Sequence, residues 1–262
     1  LKVNMAARGD EITLEGQPES VQRAEHILQE LADWTRTYHE LKPEDISRAI
    51  RATEEKPDIP LKPYTFSTNT LSTTKGTVNP KTPTQQAYLQ AIKQSDLVIA
   101  IGPAGTGKTY LAVSKAVEAL EKGEVNRIVL CRPAVEAGES LGYLPGDVEA
   151  KLAPYLRPVY DVLSERLGGK RLKSLMAEDL IEIAPVAYMR GRTLNNSYIV
   201  IDEAQNCTYG QLKMMLTRLG WNSTMVLTGD PDQCDLLPGL SGLSDIAQRL
   251  EPNERISVVH FS

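Results

Sequence analysis

The stretch that most constrains the fold of this chain is AIGPAGTGKTYL at residues 100–111. Gly102, Gly107, Lys108 and Thr109 satisfy the pattern G-x-x-x-x-G-K-[ST], in which glycines let successive backbone N–H groups face one anion. The apolar run DLVIAI before the loop predicts a buried strand, and LAVSKAVEAL after it predicts an amphipathic helix. A strand, this loop and a helix in that order predict a phosphate-binding loop at the positive end of a helix.

The polar residues of this loop have expected tasks. Lys108 is expected to reach the β- and γ-phosphates of a nucleotide, and the Thr109 hydroxyl is expected to ligate Mg²⁺. ATP and Mg²⁺ are therefore the expected cofactors. The predicted nucleotide-binding residues are those of the loop and the residue after it: Gly102, Pro103, Ala104, Gly105, Thr106, Gly107, Lys108, Thr109 and Tyr110.

Composition limits the class of protein. The 262 residues carry a net charge of −5 and are 41% hydrophobic and 24% charged, as in ordinary soluble globular proteins. The acidic balance requires any nucleic-acid contact to use a local groove. Three widely spaced cysteines and three histidines suggest neither a disulfide framework nor a zinc site. No signal peptide and no run long enough to span a bilayer is recognised, so a reducing, cytoplasmic location is expected.

Residues 1–56 are predicted to form an accessory segment. A strand is expected at Glu11–Gly16, and a helix with an apolar stripe from Val21 to Leu31 is expected to follow. The order of strand, turn and helix resembles the closing half of a KH-type RNA-binding module, although the GXXG loop of that module is absent. A plain packing or oligomerisation unit explains the same pattern equally well. A short helix is also predicted at Leu41–Lys56.

The remaining chain is divided at Thr82. Residues 57–81, which are rich in proline, serine and threonine, are predicted to be a linker or an extended β-rich connection. Residues 82–262 are predicted to form the main domain, which opens with a helix in TPTQQAYLQAIKQ. Gln85 in the first turn of that helix has two interpretations: its amide pairs with adenine, or it is simply a solvated polar residue.

Two later strands end in residues suited to the same chemistry. YIVIDEAQ predicts a strand beside the phosphate-loop strand, after which Asp202 would hold Mg²⁺ and Glu203 would orient and activate water. TMVLTGDPDQ predicts another buried strand, after which Gln233 would sense the γ-phosphate. A Gly-Asp-Pro turn without such a role is the alternative for this second segment. The predicted catalytic residues are Lys108, Glu203 and Gln233.

Four arginines are candidates for an arginine finger or for contact with RNA. Arg132 ends a predicted strand and opens a long glycine- and proline-bearing excursion, where ligands of α/β sheets bind. Arg190 and Arg192 alternate with Tyr188 in a glycine-containing loop, a combination that suits base stacking and phosphate contact. Arg218 follows the helix predicted after the DEAQ segment. A structural role for each arginine is the competing interpretation.

Several long segments in order carry a family resemblance: GPAGTGKT, IVLCRPAVEAGESLGYLPGD, YMRGRTLNNSYIVIDEAQN and LTGDPDQ. Together they resemble the PhoH-like family of bacterial ATPases from about Pro80 to the C-terminus, and their order is similar to the first ATPase core of superfamily-one helicases. The resemblance implies an α/β fold with a single RecA-like P-loop NTPase domain, its parallel sheet flanked by helices, preceded by a small α+β KH-like fragment.

The same resemblance implies ATP hydrolysis in RNA metabolism. Family members with an N-terminal KH-like segment act beside an endoribonuclease in ribosomal RNA maturation, so RNA and such a nuclease are the expected partners. The leading hypothesis is an ATPase that remodels or unwinds single-stranded or structured RNA. The alternative is a nucleotide-switched scaffold that controls assembly with a nuclease or ribosomal partner. Stimulation of hydrolysis by RNA separates the two hypotheses.

Two other classes of P-loop protein are disfavoured. Glu203 and Gln233 suit water activation better than binding of a phosphoryl acceptor, which disfavours a small-molecule kinase. No N-K-x-D guanine signature occurs, which disfavours a GTPase. Because residues 82–262 suffice for one RecA-like domain, the site is expected to be completed by a neighbouring subunit in a homo-oligomer, a hexameric ring. Arg218, Arg190 or Arg192 would then be the finger supplied in trans.

Overall fold

The computed structural model describes residues 3–8, 11–37, 46–47, 50, 69–133, 148–251 and 253–262. Contacts divide the chain into two compact units. The first unit takes the described residues up to Thr70 together with Asn79–Gln86, and the second takes Leu71–Val78 together with Ala87–Ser262.

The first unit contains a β-hairpin and a helix. Strand β1 (Val3–Arg8) pairs antiparallel with β2 (Glu11–Gly16), with Met5 opposite Leu14. Helix α1 (Pro18–Thr37) buries Ala24, Ile27 and Leu31, as its apolar stripe predicts. The predicted strand and helix are therefore confirmed, whereas β1 was missed by the sequence analysis. The helix predicted at 41–56 lies mostly outside the described residues.

The second unit is built on a six-stranded parallel sheet. Its strands are β5 (Leu97–Ile101), β6 (Arg127–Arg132), β7 (Ile181–Pro185), β8 (Ser197–Ile201), β9 (Thr224–Gly229) and β10 (Ile256–His260). They lie in the order β10-β5-β9-β8-β6-β7, and every pairing is parallel. The expected α/β fold with a parallel sheet flanked by helices is thereby confirmed.

Helices and a small hairpin surround this sheet. The α-helices are α2 (Pro83–Gln94), α3 (Lys108–Glu121), α4 (Val148–Leu167), α5 (Gly169–Ala177), α6 (Tyr209–Leu216) and α7 (Leu243–Leu250). Short 3₁₀ turns follow three strands, at Val186–Met189, Ala204–Asn206 and Pro231–Gln233. The hairpin is β3 (Leu71–Thr73) paired with β4 (Gly76–Val78).

The hydrophobic core lies on both faces of the sheet. Side chains of Val98 and Ala100 in β5 belong to one cluster, with residues of α3 and α4. The alternating residues Leu97 and Ile99 belong to the other cluster, with residues of α6 and α7. Because successive side chains of a strand point to opposite faces, a strand covered on both sides is apolar throughout. This explains why β5 reads as a continuous apolar run.

Three sequence predictions differ from the structure. The DEAQ strand β8 does not lie beside the phosphate-loop strand β5, because β9 lies between them. The sequence at 154–173 predicts a single helix, whereas the structure has two, α4 and α5, separated at Gly168, whose φ is +80°. The sequence GLSGLSDIAQRL at 239–250 predicts a helix throughout, whereas the helix of the structure begins at Leu243.

The segment predicted to be a linker or an extended β-rich connection contains the β3–β4 hairpin. Leu71 and Val78 of the β3–β4 hairpin are buried in the core cluster that contains α3. The serine- and threonine-rich composition does not indicate that the hairpin packs against the core, because only Leu71 and Val78 anchor it. Residues 57–68 lie outside the described part of the chain.

Within the described residues, no helix is both long enough and apolar enough to cross a membrane.

Candidate functional site

The loop between β5 and α3 holds glycines in conformations that other residues rarely adopt. Gly102, Gly105 and Gly107 have φ angles of +148°, +76° and +88°. A Cβ atom on Gly102 would lie 2.4 Å from the carbonyl oxygen of Phe261, just after β10. Only glycine therefore permits β10 to approach the loop so closely. The loop ends where α3 begins, so backbone N–H groups at the start of the helix face the loop.

The amine of Lys108 is held inside this loop. Nζ donates to the carbonyl oxygens of Gly102 and Pro103, at 2.6 and 2.7 Å. Burial lowers the pKa of Lys108, and the carboxylates of Asp230, Glu203 and Asp202 oppose that change in decreasing order. The Lys108 amine can bind a polyanionic ligand. Phosphate oxygens would then replace the two carbonyl oxygens as its hydrogen-bond acceptors.

Oxygen ligands suited to Mg²⁺ meet at the carboxyl ends of β8 and β9. The Thr109 hydroxyl donates to Asp202 Oδ1 at 2.6 Å, and the Thr228 hydroxyl donates to the same oxygen at 2.8 Å. Asp202 is buried. Hydroxyl and carboxylate oxygens are the ligands that Mg²⁺ prefers, and one or two of them suffice when phosphates supply the others. Thr109 and Asp202 therefore fit the ion as predicted ligands; Thr228 was missed by the sequence analysis.

Glu203 follows Asp202 with its backbone in the left-handed region, at φ +54°. Such a conformation is uncommon for a residue other than glycine and is concentrated at functional sites. Its Oε1 accepts a hydrogen bond from Arg132 Nη2 at 3.1 Å, and its Oε2 accepts one from Gln205 Nε2 at 2.6 Å. The carboxylate thus projects from the sheet edge with a donor on each oxygen.

Gln205 and Asp230 link the two segments predicted to act on phosphate. Gln205 Oε1 accepts from the Asp230 backbone N–H at 3.1 Å. Asp230 Oδ2 in turn accepts from the backbone N–H of Ala104 at 3.1 Å and from Gln233 Nε2 at 2.9 Å. The phosphate loop, the DEAQ segment and the GDPDQ segment therefore share one hydrogen-bonded network. Gln205 and Asp230 had no predicted role, although both follow strands that end at this edge.

A reciprocal pair fixes the same two segments. Asn206 Nδ2 donates to Asp235 Oδ2 at 2.9 Å, and the Asp235 backbone N–H donates to Asn206 Oδ1 at 2.8 Å. Asn206 is buried. A side-chain amide satisfied at both ends holds the backbone after β9 against the backbone after β8. Gln233 is exposed; its side chain donates to Asp230, and its carbonyl oxygen accepts from Gln205 Nε2 at 3.3 Å.

The four candidate arginines lie in different settings. Arg132 is at the site, where it pairs with Glu203. Arg192 donates to both carboxylate oxygens of Glu182, at 2.6 and 2.7 Å, and this bidentate pair lowers the pKa of Glu182. Arg218 donates to the Arg192 carbonyl oxygen at 2.8 Å. Arg190 is exposed, and its side chain makes no hydrogen bond or ion pair with the described residues.

Two predicted nucleotide-binding residues already have structural partners. Gln85 Oε1 accepts from the Lys81 backbone N–H at 2.6 Å, and the Thr82 hydroxyl accepts from the Gln85 N–H, which caps the start of α2. The Tyr110 hydroxyl donates to Glu165 Oε1 at 3.1 Å, and the Arg166 guanidinium lies 5.5 Å from the centre of its ring. Binding of a nucleobase by Gln85 or Tyr110 stays a prediction.

One solved structure aligns with this chain at low similarity. The chain of the Sulfolobus solfataricus SWI2/SNF2 ATPase core in complex with dsDNA aligns with a TM-score of 0.40 and 18% sequence identity. The alignment covers 68% of this chain and 43% of that chain. This similarity is too low to support an inference about fold or function.

Sequence relatives are much more similar. A PhoH-like protein of Bacillus subtilis (strain 168) is 46% identical over 263 residues, which cover all of this chain and 82% of that protein. A PhoH-like protein of Mycobacterium tuberculosis is 44% identical over 267 residues, covering all of this chain and 74% of that protein. Protein PhoH of Escherichia coli (strain K12) is 50% identical over 180 residues, or 68% of this chain and 51% of that protein. The family model described as PhoH-like protein matches residues 77–262, and the chain therefore belongs to the PhoH-like protein family.

Proposed function

We propose that this PhoH-like chain is an ATPase that acts on RNA. The observation that carries the proposal is the meeting of Thr109 and Asp202 at 2.6 Å, beside the phosphate loop and next to Glu203. A hydroxyl, a buried carboxylate and an adjacent, less buried carboxylate at one sheet edge match the needs of phosphoryl transfer to water. The P-loop fold and the family support nucleotide binding, and hydrolysis is the step proposed beyond them.

The residues have separate roles in the proposed reaction. Lys108 neutralises charge on the β- and γ-phosphates, and Thr109 and Asp202 hold Mg²⁺, which supplies further neutralisation of that charge when bound. Glu203 orients the attacking water and accepts its proton. Gln233 contacts the γ-phosphate. It couples binding of that phosphate to the position of Asp230, to which it donates a hydrogen bond.

Two exposed side chains after the carboxyl end of β7 support the proposed action on RNA. Tyr188 lies in the turn after β7 and is 55% exposed, and Arg190 follows it with its side chain exposed. An exposed aromatic ring beside an exposed cation suits stacking on a base and contact with a phosphate. Action on ribosomal RNA beside an endoribonuclease follows from the family resemblance and belongs to the same proposal.

The proposal includes a homo-oligomer, a ring of six subunits, in which a neighbour completes the site. Of the four candidate arginines, Arg190 best suits contact with another molecule, because Arg192 and Arg218 are bonded within their own chain. Arg190 is therefore the preferred finger or RNA contact in this proposal. A strictly monomeric protein with rapid ATP hydrolysis would contradict the shared site.

A nucleotide-switched scaffold is the second candidate function, and a specific observation favours it. The network from Ala104 through Asp230 continues into the loop before α7, in which Leu237 and Leu240 are exposed. Displacement of Asp230 by a nucleotide would alter that apolar surface, which suits binding of a protein partner. A scaffold needs no stimulation of hydrolysis by RNA.

Steady-state ATP hydrolysis with and without single-stranded RNA tests the proposal. Wild-type protein is expected to hydrolyse ATP faster with RNA, and Lys108→Ala is expected to reduce turnover at least about 100-fold under both conditions, because a preorganised charge on the phosphates is lost. Lys213→Ala, an exposed lysine of α6, is the matched control and should leave turnover unchanged. A rate of hydrolysis that is the same with and without RNA would favour the nucleotide-switched scaffold as the function.

A further inference from the structure

The guanidinium of Arg132 lies between the two carboxylates of the site. Arg132 ends β6, and β6 pairs directly with β8, whose end is followed by Asp202 and Glu203. Arg132 Nη2 lies 3.1 Å from Glu203 Oε1, and Nη1 lies 3.9 Å from Asp202 Oδ2. The Arg132 side chain is 20% exposed and that of Glu203 is 35% exposed, so both remain accessible to a ligand at the sheet edge.

This pairing engages the Glu203 oxygen that is best placed to act as a general base. A base must place an oxygen about 2.6–3.2 Å from the proton-bearing atom of the water it activates. Glu203 Oε2 is already bonded to Gln205 Nε2, and Gln205 is 1% exposed and held by Asp230. Oε1 is the carboxylate oxygen away from buried Gln205, and the bond from Arg132 takes one of its two acceptor positions and places a cation beside it.

The backbone holds Glu203 in this paired arrangement. Its left-handed φ of +54° turns the chain into the Ala204–Asn206 3₁₀ turn, in which the Asn206 N–H donates to the Glu203 carbonyl oxygen at 2.9 Å. The Asp202 N–H donates to the Cys131 carbonyl oxygen at 2.9 Å, which fixes the register of the two segments. Movement of the Arg132 side chain is thus the simplest way to free Oε1.

We propose that Arg132 is a positioning residue that restrains Glu203 until a phosphate oxygen draws its guanidinium away. The proposal rests on the proposed ATPase function and concerns the regulation of that same site. Arg132 withdraws to the competing phosphate, Oε1 becomes able to accept the proton of the attacking water, and hydrolysis accelerates.

Phosphate is the competing chemistry for two reasons. A guanidinium presents paired N–H donors that match phosphate as well as carboxylate, so the exchange of one partner for the other loses little energy. In addition, β7 pairs with β6 on the side away from β8, and the exposed Tyr188 and Arg190 follow the end of β7. A strand bound there brings phosphodiesters to the carboxyl end of β6. The γ-phosphate of the nucleotide is the other source of the same group.

The test compares Arg132→Ala, Arg132→Lys and Arg127→Ala in steady-state ATP hydrolysis, each with and without single-stranded RNA. Arg127 begins the strand that Arg132 ends and donates to the Ser197 hydroxyl at 3.1 Å, so it is a matched control remote from the carboxyl edge. Melting temperatures confirm that each variant is folded at the assay temperature.

The expected result is a gain of activity. Arg132→Ala should raise kcat without RNA roughly three- to fivefold, the loss of restraint expected from one partly exposed ion pair. Arg132→Lys, which keeps a cation able to pair with Glu203 Oε1, should return kcat to within about twofold of wild type. Arg127→Ala should match wild type.

The RNA arm identifies the source of the phosphate. Loss of RNA stimulation in Arg132→Ala supports a phosphodiester of RNA as the competing group. Stimulation retained on the raised basal rate supports the γ-phosphate of the nucleotide. Either result supports the restraint.

Three results would overturn the restraint. The first is a lower kcat in Arg132→Ala with and without RNA, which would make Arg132 a residue that binds the transferred phosphate. The second is an unchanged kcat in Arg132→Ala. The third is an Arg132→Lys variant with the same kcat as Arg132→Ala. Failure of the proposed function is distinguishable, because wild-type protein itself would then hydrolyse no ATP.

Discussion

Gln205 shows how a single buried amide ties the site together. Its Nε2 donates to Glu203 Oε2 at 2.6 Å, and its Oε1 accepts from the Asp230 backbone N–H at 3.1 Å. Since Gln205 is almost fully buried, neither group has water as an alternative partner. The orientation of the Glu203 carboxylate is therefore set in part by a buried neighbour, Gln205.

Gln205→Ala is expected to lower kcat for ATP roughly 10- to 100-fold, as the loss of orienting hydrogen bonds does at other sites. The KM for ATP should change little, since the phosphate loop keeps its own residues. Gln205→Ala should also lower the free energy of unfolding by about 1–3 kcal/mol, because the Asp230 N–H loses its hydrogen-bond acceptor. Steady-state kinetics and urea unfolding measure both, with the exposed Gln248→Ala of α7 as control. An unchanged kcat would show that Gln205 is only structural.

At the scale of elements, the carboxyl ends of the parallel strands collect the candidate chemistry. At that edge β5 leads into the phosphate loop and β6 ends in Arg132. β8 leads into the Asp202–Glu203 pair, and β9 leads into the Asp230 segment. Parallel strands place their carboxyl ends at one edge, so residues distant in sequence become neighbours. Exposed aromatic residues at opposite edges of this sheet allow a direct comparison of the two edges.

Tyr188 follows β7 at the carboxyl edge, whereas Trp221 precedes β9 at the amino edge and is 83% exposed. Tyr188→Ala should raise the RNA concentration that gives half-maximal stimulation about 5- to 100-fold, because a stacked base contributes about 1–3 kcal/mol. Trp221→Ala should leave that concentration unchanged. Titration of ATP hydrolysis with single-stranded RNA measures both. A larger effect at Trp221 would place the RNA contact at the amino edge.

The β3–β4 hairpin is fastened to α3 by a buried carboxylate. Glu118 accepts from the Ser72 backbone N–H at 2.9 Å and pairs with Lys122 and Lys115 at 2.8 and 3.0 Å. Burial alone raises the pKa of Glu118, but the hydrogen bonds from Lys122, Ser72 and Lys115 outweigh burial and lower it. The stability contributed by this ionised group is thus present above its ordinary pKa of 4.5 and is lost as the pH falls through the lower native value.

Glu118→Gln should therefore lower the free energy of unfolding by about 2 kcal/mol at pH 7. The difference from wild type should persist down to about pH 5 and shrink below pH 4, where the wild-type carboxylate also becomes protonated. Urea unfolding across this pH range measures the difference, with Glu178→Gln, an exposed carboxylate after α5, as the control. A difference that is independent of pH would rule out ionisation of Glu118 as its cause.

For the whole molecule, what could be predicted from the sequence follows from the range of the interactions. The phosphate loop and the apolar strands are local patterns, so the loop, the strand and the helix around Lys108 were predictable. The position of β9 between β5 and β8 could not be predicted, because it depends on pairing between strands that are distant in sequence. Likewise, nothing local to Arg132 or Gln205 indicates that both side chains bond to Glu203, because only the sheet brings β6 beside β8.

The central claim is that this edge of the sheet hydrolyses ATP with Glu203 as the base. The most direct measurement compares Mg·ATP binding and ATP turnover for wild-type protein and Glu203→Gln. We expect the affinity for ATP to stay within about threefold, a difference below 1 kcal/mol, while turnover falls about 100-fold or more. Equal turnover in the two proteins, or loss of ATP binding in the variant, would contradict the assignment of Glu203 as the residue that activates water.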